Sequence, residues 1–96
     1  MAARKVPRPF NYSWGGGQII EEAAFEGEHS EPAVQLLRYE GGDHDGHESV
    51  RFCFYNLRGA FQRHPLMLGA DDIAKMREAL KETPRLRDLL KELVRD

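Results

Sequence analysis

The sequence predicts an α+β fold in which a four-stranded antiparallel sheet, a meander, is followed by two C-terminal helices packed on one face. Side chains alternate with a period of two between residues 18 and 68, whereas apolar side chains recur every three or four positions after residue 71. Short connections between the predicted strands favour antiparallel neighbours, because parallel strands need long crossovers.

The length and composition indicate one domain. The chain has 96 residues, of which 41% are hydrophobic and 31% charged. This composition is too apolar for a disordered chain. We predict a basic N-terminal arm at residues 1–17, which contains prolines and a run of three glycines, and a single α+β domain at residues 18–96. Phe10 and Tyr12 alternate with polar residues, so part of the arm is expected to lie as a strand or against the body.

Four segments have the character of strands. In the first, Ile19, Ala23 and Phe25 share one parity. The third is rich in β-branched and aromatic residues. Pro65 has no N–H for a ladder, so the fourth strand is expected at an edge or with a bulge. The predicted strands are residues 18–26, 33–40, 49–56 and 60–68.

Two helices are predicted at the C-terminus. Asp71 and Asp72 stand where a helix dipole favours negative charge, and apolar residues follow at helical spacing. Thr83-Pro84 is a typical helix start, with an N-cap residue before a proline at the first helical position. The apolar stripe of the second helix is Leu86, Leu89, Leu90, Leu93 and Val94.

Charge and cysteine content limit the classes of protein. The net charge is −2, but acidic residues crowd residues 21–48, while residues 1–20 and 49–69 are basic. The single cysteine, Cys53, excludes an intramolecular disulfide and favours an intracellular, cytoplasmic protein. No apolar run reaches the ~20 residues of a membrane-spanning helix, so no membrane partner is expected.

One sheet face should remain after the helices have packed. If Phe52 and Phe54 face the helices, then Arg51, Cys53 and Tyr55 point the other way. Such a surface of aromatic, aliphatic and guanidinium groups usually marks an interface. Single-stranded DNA or RNA would stack on its rings, a second copy would bury it in a homodimer, or the N-terminal arm would cover it.

The order of elements over residues 18–82 resembles two families of single-stranded nucleic-acid binders, the transcriptional positive-cofactor type and the Pur-alpha type. The local similarity is residues 63–72, where an apolar strand end runs into an acid-started helix. The resemblance implies a dimer with a role in transcription, although those families have lysine-rich strands or arms where this chain is acidic. The resemblance implies that the residues in contact with a nucleic-acid strand are Arg38, Tyr39, Arg51, Tyr55, Arg58 and Arg63. Phe61, which is expected on the same face, completes the set of predicted nucleic-acid or partner contacts.

Other chemistry is not predicted. His44 and His47 lie in an acidic, glycine-rich turn whose spacing matches no metal motif, so a solvated turn is the better interpretation. Cys53 could be a nucleophile with His64 as its base, but no sequence feature links the two residues. A cysteine buried as a small hydrophobic side chain is therefore the favoured interpretation. We therefore predict a non-enzymatic binding protein without metal or cofactor. The alternative to the nucleic-acid function is a protein-interaction or homodimerisation module.

Overall fold

The computed structural model describes residues 4–96. Five antiparallel strands form one sheet in the order β1-β2-β3-β4-β5, and two helices follow. The α+β class, the antiparallel sheet and the two C-terminal helices are confirmed, but the predicted count of four strands is wrong. The elements are β1 (Arg8–Tyr12), β2 (Gly15–Ala24), β3 (Glu31–Tyr39), β4 (Glu48–Tyr55), β5 (Leu66–Gly69), α1 (Ile73–Leu80) and α2 (Pro84–Val94). Short 3₁₀ turns lie at Gly42–His44 and Ala70–Asp72.

The additional strand comes from the segment predicted as an arm. β1 pairs with β2, and the glycine run belongs to β2 instead of a linker. Gly17 lies in register between Phe10 of β1 and Tyr39 of β3, and the two rings meet with centroids 5.3 Å apart. A Cβ at Gly17 would overlap the carbonyl oxygen of Arg38. Glycine is therefore required here by close packing of backbone, not for flexibility.

A bulge changes the side-chain alternation of β2. Ile19 lies opposite Leu37, but after the irregularity Glu22 lies opposite Gln35 and Ala23 opposite Val34. Because opposite residues of an antiparallel pair share a face, Ile19 and Ala23 lie on different faces. The prediction from their common parity, that these two residues lie on one face of the strand, is therefore wrong.

The fourth predicted strand is shorter than expected. Only residues 66–69 pair with β4, while Phe61 makes an isolated bridge to Tyr55. His64 has a positive φ of 66° and precedes Pro65, which lacks an N–H. These two residues interrupt the ladder between the bridge and β5.

The sheet has two unlike faces. We call the buried side the inner face; its buried strand residues are Phe10, Ile19, Glu31, Ala33, Gln35, Leu37, Tyr39, Ser49, Arg51, Cys53 and Tyr55. Val6, Tyr12 and Met67 pack at its margin. The opposite side, the outer face, carries Ala23, Pro32, Val34, Phe52, Phe54 and Leu66.

The inner face is enclosed by the sheet and its flanking segments. β1 and β4 are separated by two strands, about 14 Å in a flat sheet. Their side chains nevertheless touch: Arg8 donates to the Tyr55 hydroxyl at 3.0 Å, and Arg51 donates to the Tyr12 hydroxyl at 2.8 Å. Phe61 also lies against this face, 5.4 Å from the Tyr55 ring. Long side chains thus close the inner face without a helix.

The helices begin where the sequence predicts, but they bury nothing. Thr83 is the N-cap of α2 and Pro84 opens it, although the Thr83 hydroxyl bonds back to the Leu80 carbonyl instead of capping. No residue of α1 or α2 is buried. The predicted packing of both helices on one sheet face is therefore not found in residues 4–96.

Candidate functional site

Three of the predicted contact residues are inside the protein. Tyr39, Arg51 and Tyr55 are all buried on the inner face, with Arg51 only 4% exposed. Phe52 and Phe54 are instead 37% and 46% exposed. Phe52 and Phe54 do lie on the face that Leu93 of α2 reaches, and Arg51, Cys53 and Tyr55 do point the other way. The expectation that Arg51, Cys53 and Tyr55 form the exposed face is wrong, because their face is the buried one.

The other predicted contact residues do not converge. Arg38 is exposed and pairs with Glu48 at 3.0 Å, at the end of the sheet where β3 connects to β4. Phe61 meets Tyr55, which is seven residues along β4 from Glu48, roughly 23 Å away. Arg58 and Arg63 are exposed in the connection after β4. The structure thus brings Arg51, Tyr55 and Phe61 together and leaves Arg38 at the far end.

A hydrogen-bonded polar cluster occupies the inner face, centred on Gln35. The Gln35 amide nitrogen donates to Glu22 at 2.6 Å and to the Tyr55 hydroxyl at 2.9 Å, and its oxygen accepts from Arg51 Nε at 2.7 Å. The neighbours fix the orientation of this amide, since a carboxylate needs a donor and a guanidinium needs an acceptor. Arg8 completes the cluster with two bonds to Glu22, at 3.0 and 2.9 Å.

Charge pairing sets the protonation of the cluster. Burial opposes ionisation of Glu22, but the hydrogen bonds from Arg8 and Gln35 outweigh it, so the pKa of Glu22 lies below its ordinary value. The hydrogen bond to Glu22 raises the pKa of Arg8. Arg4 adds a second ion pair, to Glu31 at 2.6 Å, and its guanidinium lies 3.7 Å from the centre of the Tyr55 ring. Both carboxylates therefore have a cation of their own.

Arg51 is different, because no carboxylate in residues 4–96 forms an ion pair with it. Its partners are the neutral side chains of Gln35 and Tyr12, and its guanidinium lies 4.7 Å from the centre of the Phe61 ring. A buried charge without a counter-charge is costly unless other groups compensate it. Aromatic and amide dipoles supply that compensation here.

The outer face forms an apolar groove. Its volume is about 550 Å³, and it runs between the sheet and the C-terminal end of α2. Phe25, Phe54 and Leu66 are among its most exposed members, and Leu93 reaches it from α2. Arg63 and His64 belong to its lining, which contains no acidic side chain among the described residues.

The apolar stripe of α2 is also exposed. Leu86, Leu89, Leu90, Leu93 and Val94 are between 39% and 76% accessible. On α1, Ile73 and Met76 are more than one third accessible. Helices of 8 and 11 residues are marginal in water unless an apolar face is packed. Packing of this stripe would supply the contacts that such short helices lack.

The histidine turn and the cysteine contain no evident chemical centre. His44 and His47 rings lie 6.0 Å apart, and His44 packs near Trp14 and Tyr39. Within residues 4–96, no group of three histidine, cysteine, aspartate or glutamate residues is placed to hold a metal ion. Cys53 is buried, and burial raises the pKa of its thiol. This environment therefore does not favour Cys53 as a nucleophile, which would need a lowered thiol pKa.

Sequence reasoning missed the outer groove and the roles of Glu22, Gln35 and Tyr12. Period-two spacing places Gln35 with Leu37 and Arg51 with Tyr55, which could have suggested one shared face. No signal in the sequence shows that this polar face is the inner one.

No helix of the described residues is long and apolar enough to cross a membrane. Comparison with protein-family models, with curated proteins and with solved structures finds no match. The resemblance to single-stranded nucleic-acid binders therefore stays a prediction.

Proposed function

We propose that this chain is a non-enzymatic protein-interaction module that works as a homodimer through its outer face and the α2 stripe. The observation that carries the proposal is the coexistence, on one chain, of an exposed apolar sheet groove and an exposed apolar helix. In the part of the chain that the structure describes, residues 4–96, neither surface covers the other, apart from the approach of Leu93 to the groove. Both surfaces would be covered if each chain placed its helix stripe on the sheet of a partner copy.

A second copy suits these surfaces for a geometrical reason. In a dimer with two-fold symmetry, a contact between residue i of one chain and residue j of the other occurs twice. Two complementary apolar surfaces on one chain therefore satisfy each other without a further partner. The packing also supplies the tertiary contacts that the short helices need.

The available area is sufficient for such a dimer. The exposed parts of the groove and stripe side chains amount to roughly 900 Å² per chain, against about 800 Å² per partner in a standard stable interface. Together, the two surfaces expose more apolar area than the few hundred Å² of a typical patch on a monomer. The contributing residues are Phe25, Phe52, Phe54, Leu66, Leu86, Leu89, Leu90, Leu93 and Val94.

The nucleic-acid function has weaker support. Phosphate binding needs accessible cations. Of the predicted arginines, Arg51 is buried and Arg38 is paired with Glu48, which leaves Arg58 and Arg63. Tyr39 and Tyr55, expected as stacking platforms, are buried. In the described lining of the apolar groove, Arg63 and His64 are the basic side chains.

Sedimentation equilibrium tests the proposal. We expect the wild type to have twice the mass of one chain. Phe54→Asp on the outer face or Leu89→Asp on α2 should give monomers, since a buried unpaired carboxylate is costly. Leu57→Asp is the matched control: Leu57 is 48% exposed but lies in the turn after β4, outside both surfaces, so this variant should remain dimeric.

Mixing two variants tests the pairing of helix with sheet. Phe54→Asp and Leu89→Lys should each be monomeric alone, yet form a heterodimer together, because one contact becomes an ion pair and its symmetry mate stays apolar. A monomeric wild type at high micromolar concentration would refute the proposal. Binding of a labelled single-stranded oligonucleotide, lost in Arg58→Glu with Arg63→Glu, would instead favour the nucleic-acid function.

A further inference from the structure

We infer that the cleft beside Arg51 is a binding site for a small oxyanion, a carboxylate or a phosphate group. The cleft has a volume of about 240 Å³ and lies on the inner-face side of β1. Its lining includes Arg8, Tyr12, Arg51, Tyr55 and Phe61. This site is separate from the outer-face groove and does not depend on the proposed dimer.

The first argument is uncompensated charge. Arg8 is neutralised by Glu22 and Arg4 by Glu31, whereas Arg51, 4% exposed, has no carboxylate partner in residues 4–96. A guanidinium has five N–H donors. Two donors of Arg51 form hydrogen bonds, one to Gln35 and one to the Tyr12 hydroxyl. An anion in the cleft would supply the missing counter-charge and use the remaining donors.

The second argument is hydroxyl orientation. The Tyr12 oxygen accepts from Arg51, and the Tyr55 oxygen accepts from Arg8 and Gln35. Neither hydroxyl proton has an acceptor among residues 4–96. A phenol hydroxyl can both accept and donate a hydrogen bond. Each of these hydroxyls therefore still has a proton that it can donate to a group in the cleft. Two phenolic donors and a guanidinium form a site that is complementary to a planar or tetrahedral oxyanion.

The third argument is preorganisation and size. Gln35 holds Arg51 Nε, the Phe61 ring lies over the guanidinium, and Trp14 stacks on Tyr12 with ring planes 4° apart. The donors are therefore held in place before an anion arrives. At about 30 Å³ per water molecule, the cleft has room for a carboxylate or phosphate group with few further atoms, and it is smaller than a pocket for a drug-sized ligand.

Titration with sodium phosphate and with sodium acetate, each against sodium chloride at matched ionic strength, tests the site. We expect a saturable shift of the Arg51 side-chain Nε–H in ¹H–¹⁵N NMR spectra, and a parallel change in the fluorescence of Trp14, the only tryptophan. Comparing the two salts distinguishes a phosphate site from a carboxylate site. Chloride alone should produce no saturation.

Variants decide whether the cleft is responsible. Tyr12→Phe removes one hydroxyl without changing the ring and should weaken binding about three- to tenfold. Arg51→Gln should abolish it; if that variant fails to fold, Tyr12→Phe and Tyr55→Phe carry the test. Arg38→Gln, which removes an exposed arginine paired with Glu48, is the control and should bind like wild type.

Three results would overturn the inference. These are linear shifts that chloride reproduces, unchanged affinity in Tyr12→Phe, or equal loss of affinity in Arg38→Gln. The dimerisation variants Phe54→Asp and Leu89→Asp should retain oxyanion binding, because both residues lie outside the cleft. Failure of the dimer proposal and failure of this site are therefore distinguishable.

Discussion

The inner face of the sheet buries Glu31, Gln35 and Arg51, whereas its outer face exposes Phe52 and Phe54. The inner face tolerates its polar groups because nearly all of them are hydrogen bonded. Among residues 4–96 the outer face has no such network, and its large side chains remain partly exposed to water. The difference teaches that burial within one chain follows the satisfaction of polar groups and the path of the backbone, not hydrophobicity alone.

The same comparison separates stability from association. The inner face contains the contacts that hold the folded chain together, including Phe10, Ile19, Leu37 and Tyr39. The outer face exposes Phe52 and Phe54, and we propose that it is the surface that binds a second copy. Substitutions on the two faces should therefore differ in kind: inner changes alter the free energy of unfolding, and outer changes alter mass in solution.

The largest effect is expected from Leu37→Ala. Leu37 is 0% exposed at the centre of the inner face, so the variant should lose about 2–5 kcal/mol of unfolding free energy through lost packing and a cavity. Urea denaturation monitored by circular dichroism measures it. Leu57→Ala is the control and should change stability by less than about 0.5 kcal/mol. A loss below about 1 kcal/mol for Leu37→Ala would mean that the inner face is not the core.

Gln35→Leu should cost about 2–4 kcal/mol. The substitution retains an apolar stem but leaves Glu22, Arg51 and Tyr55 each without one hydrogen-bond partner. The matched control is Gln18→Leu, whose amide makes only a 3.5 Å exposed contact to Glu40. Equal stability of the two variants in thermal denaturation would contradict the cluster.

A smaller effect is expected in the pH dependence of stability. Because the folded-state pKa of Glu22 is lowered, its stabilisation is present above its ordinary pKa of about 4.5 and is lost as the pH falls through the lower folded value. The unfolding free energy of the wild type should therefore decrease below about pH 4.5. Glu22→Gln should be less stable at neutral pH and depend less on pH in this range.

The control for this titration is Glu48→Gln. Its carboxylate is partly exposed and pairs with Arg38 at the surface, where an ion pair is worth about 0–1 kcal/mol. Its pH profile should follow the wild type. Denaturation curves collected between neutral and acidic pH would show whether Glu22→Gln alone flattens the profile; identical profiles for all three proteins would contradict the assignment.

The smallest change concerns Cys53, where no loss of stability is involved. Burial raises the pKa of its thiol, so little reactive thiolate is present near neutral pH. We expect slow reaction with Ellman's reagent in the native protein and rapid reaction in denaturant. If Cys53 in the native protein reacted completely and as fast as in denatured protein, it would lie at the surface instead of on the inner face.

Much of the secondary structure could be predicted because it depends on local signals. Thr83-Pro84 and the leucine spacing located α2, and the aromatic and β-branched composition located β4. The strand at Arg8–Tyr12 was expected only as one of two alternatives for the arm, and the pairing of the glycine run was missed. Prolines and glycines ordinarily indicate loops, and here tertiary packing of Phe10 against Tyr39 across Gly17 overrides that preference.

The candidate sites were less predictable. β4 has large side chains on both parities, Arg51 and Tyr55 on one and Phe52 and Phe54 on the other, so alternation identified two faces but not the buried one. A choice of the wrong face reverses every residue of the site. The bulge after Ile19 adds a second reversal that alternation alone does not reveal.

By itself, the sequence determined the α+β class, the antiparallel order of its middle strands, and where both helices begin, because these follow from local periodicity, turn residues and helix-start signals. Only the tertiary structure decided which sheet face is inside and that, among residues 4–96, Arg51 has no counter-charge and the apolar helix stripe is uncovered. Those features depend on contacts between distant residues, such as Tyr12 with Arg51 and Arg8 with Tyr55. Such contacts form only when the curled sheet brings the first and fourth strands together.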